Sequence, residues 1–128
     1  MHESVLIVDD EPGITAALMT RLQACGYQVY HALNGLAALE AAQMHQLDVI
    51  ILDIRMPDID GFDVCRRLKA NPDHAHIPVI FLSADIQNSA RRKAFDAGAS
   101  AYLSKPYESR EVIRTIEKVT TKAASHHE

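Results

Sequence analysis

Three runs of large apolar residues constrain this chain more than any other feature: Val5-Leu6-Ile7-Val8, Val49-Ile50-Ile51-Leu52 and Val79-Ile80-Phe81-Leu82. Each is too short for a buried helix, is rich in β-branched residues and lacks alternation with polar positions, so each predicts a strand covered on both faces. Between the runs the pattern changes to a helical one. Ala17, Leu18 and Leu22 recur at helical spacing over Ile14 to about Cys25, with Pro12 near the start and Gly26 as the stop. Tyr27 to Ala32 predicts a second strand, and Asn34-Gly35 introduces an alanine-rich helix from Leu36 to His45. The third strand covers Asp48 to Asp53 and is followed by a loop and a helix from about Phe62 to Ala70. The fourth strand covers Ile77 to Leu82, with Pro78 tolerable only near its start. A helix from about Gln87 to Ala97, a short strand at Ala101 to Leu103 and a last helix from about Glu108 to Lys122 complete the series. Strict alternation of apolar strands with helices predicts an α/β domain, a parallel sheet with helices on both faces.

In such a sheet the functional site lies outside the carboxyl ends of the strands. Those ends carry Asp9-Asp10, then Asp53, then Ser83-Ala84, then Lys105-Pro106, while the second strand offers only His31. Three carboxylates, a hydroxyl and an ammonium would therefore meet on one rim. Clustered carboxylates repel one another unless positive charge intervenes. Lys105 offsets one charge, and a hard divalent cation such as Mg2+ suits the rest. A carboxylate so placed can attack phosphorus, with cation, ammonium and hydroxyl stabilising the equatorial oxygens of the group in transfer. Ala84 leaves room for that group. Each residue alone has an ordinary reading: Asp9, Asp10 and Glu11 as helix-start acids, Asp53 as a strand-to-loop cap, Ser83 as structural, Lys105 as a solvated lysine. All four strand ends matching one chemistry favours the joint reading.

Other phosphate and metal chemistries fit poorly. The chain has no GxxxxGK[ST] loop. A flavin-binding loop after the first strand would be repelled by Asp9-Asp10-Glu11. A haloacid-dehalogenase-like enzyme needs an acid two residues after its nucleophile, where this chain has Arg55, and an EF-hand loop would need one at Met56. The seven histidines form no ligand set.

Bulk properties bound the rest. At 128 residues the chain forms one domain with an adequate core. It has no apolar run of membrane-spanning length and no signal-peptide pattern, so no membrane association is expected. Cys25 and Cys65 lack metal or redox spacing, which suits a reducing compartment and a cytoplasmic protein. A net charge of −4 argues against direct nucleic-acid binding by this domain.

The segments VLIVDDEPG, DVIILDIRMPDIDGFD, IPVIFLSA and AYLSKPY are similar, in sequence, order and spacing, to the motifs of the receiver domain of two-component response regulators. The likeness covers about residues 4 to 122. It implies a flavodoxin-like, doubly wound five-stranded sheet of order 2-1-3-4-5, with residues 1–122 as the receiver domain and 123–128 as a frayed tail. It further implies that Asp53 accepts a phosphoryl group from a histidine kinase or a histidine phosphotransfer protein. Asp10, Asp53 and the backbone carbonyl of Arg55 would bind Mg2+, with Asp9 helping through water. Lys105 would contact the phosphoryl group, with Ser83 and Ala84 beside it. Ser83 and Tyr102 would form the switch, and Lys105-Pro106 would be a cis peptide bond.

The domain would thus act as a signalling switch, catalysing only its own phosphorylation and dephosphorylation. The alternative is a Mg2+-dependent aspartyl-phosphate phosphatase or phosphotransferase acting on external substrates. The output face would be built by the last two helices and the fifth strand, serving a downstream protein, a missing output domain or a second copy of the chain. Arg91, Arg92 and Lys93 give it a basic cluster. Arg55 and Asp85, two residues after Asp53 and Ser83, are expected to pair across the mouth of the site and to restrict water. The chain reads equally as a stand-alone receiver or as one cut from a longer regulator.

Overall fold

The computed structural model describes residues 3–85 and 87–125. Five strands, β1 (Ser4–Val8), β2 (Gln28–Ala32), β3 (Val49–Leu52), β4 (Val79–Ser83) and β5 (Ala101–Ser104), alternate with five helices. The helices are α1 (Pro12–Ala24), α2 (Gly35–Met44), α3 (Gly61–Ala70), α4 (Asn88–Asp96) and α5 (Ser109–Ser125). All strands are parallel, in the order β2-β1-β3-β4-β5. The expected α/β architecture and strand order are therefore present.

The apolar runs behave as two-faced strands. Leu6, Val8, Ile50, Leu52, Val79 and Phe81 point to a core shared with α2, α3 and α4. Their neighbours Val5, Ile7, Val49, Ile51, Ile80 and Leu82 point to a second core beneath α1 and α5, formed with Leu18, Leu22, Val112 and Ile116. Every residue of β3 is at most 1% exposed, so this strand is fixed from both sides. Burial on that scale contributes about 1.5–3 kcal/mol per large side chain.

Boundaries moved by one or two residues at most elements. α1 begins at Pro12, two residues before the expected start, because proline's fixed φ suits a first turn where its missing N–H costs nothing. The fourth strand starts at Val79, after Pro78, whose lack of an N–H keeps it out of the ladder. The expected end of the last helix at Lys122 is corrected: α5 continues through Ser125, so residues 123–125 of the supposed frayed tail are helical. Residues 126–128 lie outside the described residues.

Candidate functional site

The sheet's hydrogen bonding runs one residue past three of its strands and so holds the backbone of the site. The Asp9 N–H donates to the Ala32 carbonyl, the Asp53 N–H to the Val8 carbonyl and the Lys105 N–H to the Ser83 carbonyl. Three functional side chains are thereby set on the sheet itself rather than on free loops. The loop after Asp53 is drawn in as well. The Gly61 N–H donates to the Ile54 carbonyl at 2.7 Å. A Cβ on Gly61 would sit 2.3 Å from the Asp53 carbonyl oxygen, so only glycine allows this approach.

Lys105 Nζ bridges two carboxylates, donating to Asp9 Oδ2 at 3.1 Å and to Asp53 Oδ2 at 3.0 Å. Burial alone would lower the lysine's pKa, but its hydrogen bonds to Asp53 and Asp9 outweigh that and hold it above its usual value. The Lys105-Pro106 bond is cis, as the resemblance implies.

One carboxylate oxygen from each of Asp9, Asp10 and Asp53 lies within 4.8 Å of the other two. Oxygen donors in this number suit Mg2+, which binds through one or two carboxylates and keeps several waters. The three are not equivalent. Both oxygens of Asp9 are engaged, Oδ1 by the Glu11 N–H at 2.9 Å and Oδ2 by Lys105. Asp10 is exposed and makes no hydrogen bond or ion pair with any described residue. Asp53 Oδ1 receives only a long contact, 3.4 Å, from the Arg55 N–H. Asp10 and the Oδ1 of Asp53 are therefore the carboxylate oxygens with capacity left to bind a cation, whereas both oxygens of Asp9 are engaged.

Ser83 is buried, and its Oγ accepts the Asp85 N–H at 3.1 Å. The Asp85 carbonyl in turn accepts the Tyr102 hydroxyl at 2.6 Å. Tyr102 lies inward, 7% exposed, at the end of a row of rings formed with Phe81 and Phe62. One peptide segment therefore links the strand-end hydroxyl to the aromatic residue of β5. An open cleft of about 610 Å³ is lined by Asp10, Asp53, Arg55, Ser83, Ala84 and Lys105 among others. Asp10, Asp53, Arg55, Ser83, Ala84 and Lys105 line the cleft, and Asp9 and Tyr102 are bonded to residues that do, whereas Pro106 lines a separate pocket along the start of α5.

The ion pair expected between Arg55 and Asp85 is not made. Asp85 Oδ1 instead accepts the Gln87 N–H at 2.9 Å. The basic cluster is divided too: Arg91 lies over Phe95 on the surface, whereas Lys93 lies over the Phe62 ring. His31, near the end of the second strand, touches the site's frame through Nε2 and the Asp9 carbonyl, 3.0 Å apart. Its only signal in the sequence was its place near the end of β2.

The sequence model of the response regulator receiver domain matches residues 5–117. This chain belongs to that family. It is 46% identical over 103 residues to the transcriptional regulatory protein KdpE of Mycobacterium tuberculosis, an alignment covering 80% of this chain and 44% of the relative. It is 38% identical over 112 residues to the DNA-binding dual master transcriptional regulator RpaA of Synechocystis, covering 88% of this chain and 46% of that protein. Among solved structures, Vibrio cholerae chemotaxis protein CheY4 superposes with a TM-score of 0.88 at 29% identity, covering 93% of this chain and 99% of CheY4. The chain spans about half the length of these two curated relatives. Receiver domains are the signalling domains of two-component systems, and no helix among the described residues is long and apolar enough to cross a membrane.

Proposed function

We propose that this receiver domain is a phosphorylation switch whose acceptor is Asp53, loaded by a histidine kinase or a histidine phosphotransfer protein in the cytoplasm. The observation that carries the reading is the Lys105 bridge, which places an ammonium 3.0 Å from one oxygen of a carboxylate that also borders an acidic, cation-ready cleft. An Asp53 oxygen forms the new bond to phosphorus as the bond from phosphorus to the donor imidazole nitrogen breaks, and that nitrogen leaves with the electron pair. Mg2+, when held by Asp10, Asp53 and the Arg55 carbonyl, supplies the positive charge that screens carboxylates from phosphoryl oxygens. Lys105 contributes the second cation, and Ala84 leaves the space in which the group sits.

Ser83 then reports the event. A hydroxyl recruited by phosphoryl oxygens draws on the segment through Asp85, and Tyr102 follows because its hydroxyl is bonded there. The face formed by α4, β5 and α5 carries the output, to a downstream protein, an output domain or a second copy. Phe95, 41% exposed beneath Arg91, is its apolar centre on α4.

The test is stoichiometry. Incubation with acetyl phosphate and Mg2+ gives close to one phosphoryl group per chain, stable in acid and labile in base. Sustained turnover of an added phosphomonoester, without a stoichiometric adduct, would instead identify a phosphatase acting on external substrates.

A further inference from the structure

The crest of the loop between β3 and α3 is fastened to a different element. Asp58 Oδ1 accepts the Gly35 N–H at 2.9 Å, and Oδ2 accepts the Leu36 N–H at 2.8 Å. These are the first two amides of α2, which have no partner within the helix. The Asn34 side chain caps the next free amide, that of Ala37, so the two acceptors divide the helix start between them. Gly35 allows the approach: a Cβ there would lie 2.4 Å from Ile59 Cγ1 and 3.0 Å from the Ile59 carbonyl oxygen. Desolvation pushes the Asp58 carboxyl up, and hydrogen bonds from Leu36, Gly35, Ile59 and its own N–H more than reverse this, leaving it below its usual value.

This loop also contains Arg55, whose carbonyl accepts no hydrogen bond among the described residues. Among the described residues, the side chain of Asp58 makes the only hydrogen bonds from residues 54–60 to an element other than the flanking β3 and α3. The loop is otherwise tied at its ends, by the backbone of Asp53 in the ladder, by the Gly61 N–H on the Ile54 carbonyl, and by Asp60, which accepts the Asp63 and Val64 N–H groups of α3.

We propose that Asp58 is a positioning residue for the phosphoacceptor site: by clamping the start of α2 it fixes the loop that presents the Arg55 carbonyl beside Asp53. The inference rests on the Mg2+-dependent phosphoacceptor reading above. In the sequence Asp58 is one of several loop aspartates, and nothing local marks it, because its partners lie 23 and 22 residues away.

The experiment compares wild type, Asp58→Ala and Asp58→Asn by Mg2+ titration calorimetry, amide hydrogen exchange and acetyl phosphate uptake. Groups bonded directly to a metal ligand cost about 10–100-fold in affinity when removed. A clamp one step further out is expected to weaken Mg2+ binding by about threefold or more, with Asp58→Asn intermediate because it keeps one acceptor oxygen. Exchange should speed up at Gly35 and Leu36 and also at Gly61, while α5 is unaffected.

Mg2+ affinity within twofold of wild type, or faster exchange confined to Gly35 and Leu36, would reduce Asp58 to a helix cap and overturn the proposal. If Asp58→Ala does not fold, Asp58→Asn carries the same comparison. Wild-type protein that binds Mg2+ and takes up no phosphoryl group would defeat the phosphoacceptor reading, while a loss of Mg2+ affinity in the variants would still uphold the positioning of the loop.

Discussion

Replacing Lys105 by methionine removes one charge and keeps most of the side chain's length. In the wild type the ammonium lies 3.1 Å from Asp9 Oδ2 and 3.0 Å from Asp53 Oδ2. At an effective dielectric of about 20, each contact is worth about 5 kcal/mol of gross attraction, most of which is offset by desolvation of the groups involved. Removing one member of a fully buried pair costs about 3–5 kcal/mol, because the remaining charge is left uncompensated. Here the side chains of Lys105, Asp9 and Asp53 are 17%, 8% and 14% exposed, which places the loss nearer about 2–3 kcal/mol. For a domain of this size that is a fall of about 8–12 °C in Tm.

The loss should depend on the cation. Saturating Mg2+ supplies the missing positive charge, and the deficit should shrink to about 1 kcal/mol or less. Mg2+ should bind the variant more tightly than the wild type, because a competing ammonium has gone, while phosphoryl uptake falls. Urea unfolding of both proteins with EDTA and with Mg2+ gives the four values needed. Equal stability of the two proteins in EDTA, or a deficit that Mg2+ leaves unchanged, would refute the electrostatic reasoning.

Other consequences follow from single contacts. Gly61→Ala should destabilise the domain by about 1–3 kcal/mol in urea unfolding, because the new methyl meets the backbone of Asp53 and Ile54 rather than a side chain that can move. Burial pushes the Cys65 thiol up to about 11, with Lys69 and Arg66 opposing only partly, and Cys25 is exposed. A thiol reagent at neutral pH should therefore modify one cysteine quickly and the second only on unfolding. The raised pKa of Lys105 has a defined sign: its contribution is complete below about pH 10.5 and is lost as pH rises through the folded value. The stability gap between wild type and Lys105→Met should accordingly be constant up to about pH 10 and close above it.

What could be read from the sequence was whatever depends on neighbours along the chain. The runs at residues 5–8, 49–52 and 79–82 identify two-faced strands without reference to any partner, and a parallel sheet then brings their ends together. Asp9, Asp10, Asp53, Ser83 and Lys105 were legible for that reason: each follows or closes a strand. The cap of α3 is short-range in the same way, because Asp60 accepts the Asp63 N–H three residues on. Contacts across the chain left no such trace. The clamp from Asp58 to α2, and the contact of His31 with the Asp9 carbonyl, depend on loops converging in space. Charge proximity on adjacent loops suggested an Arg55–Asp85 pair, but Asp85 bonds locally to the Gln87 N–H and makes no ion pair with Arg55.

Intact-mass measurement tests most directly whether Asp53 is the phosphoacceptor. Wild type and Asp53→Asn are incubated with acetyl phosphate and Mg2+, and the adduct is located by peptide mapping. One added phosphoryl group is expected on the peptide containing Asp53 in the wild type and none in the variant. Full incorporation into Asp53→Asn, or an adduct mapped to another residue of the wild type, would contradict that assignment.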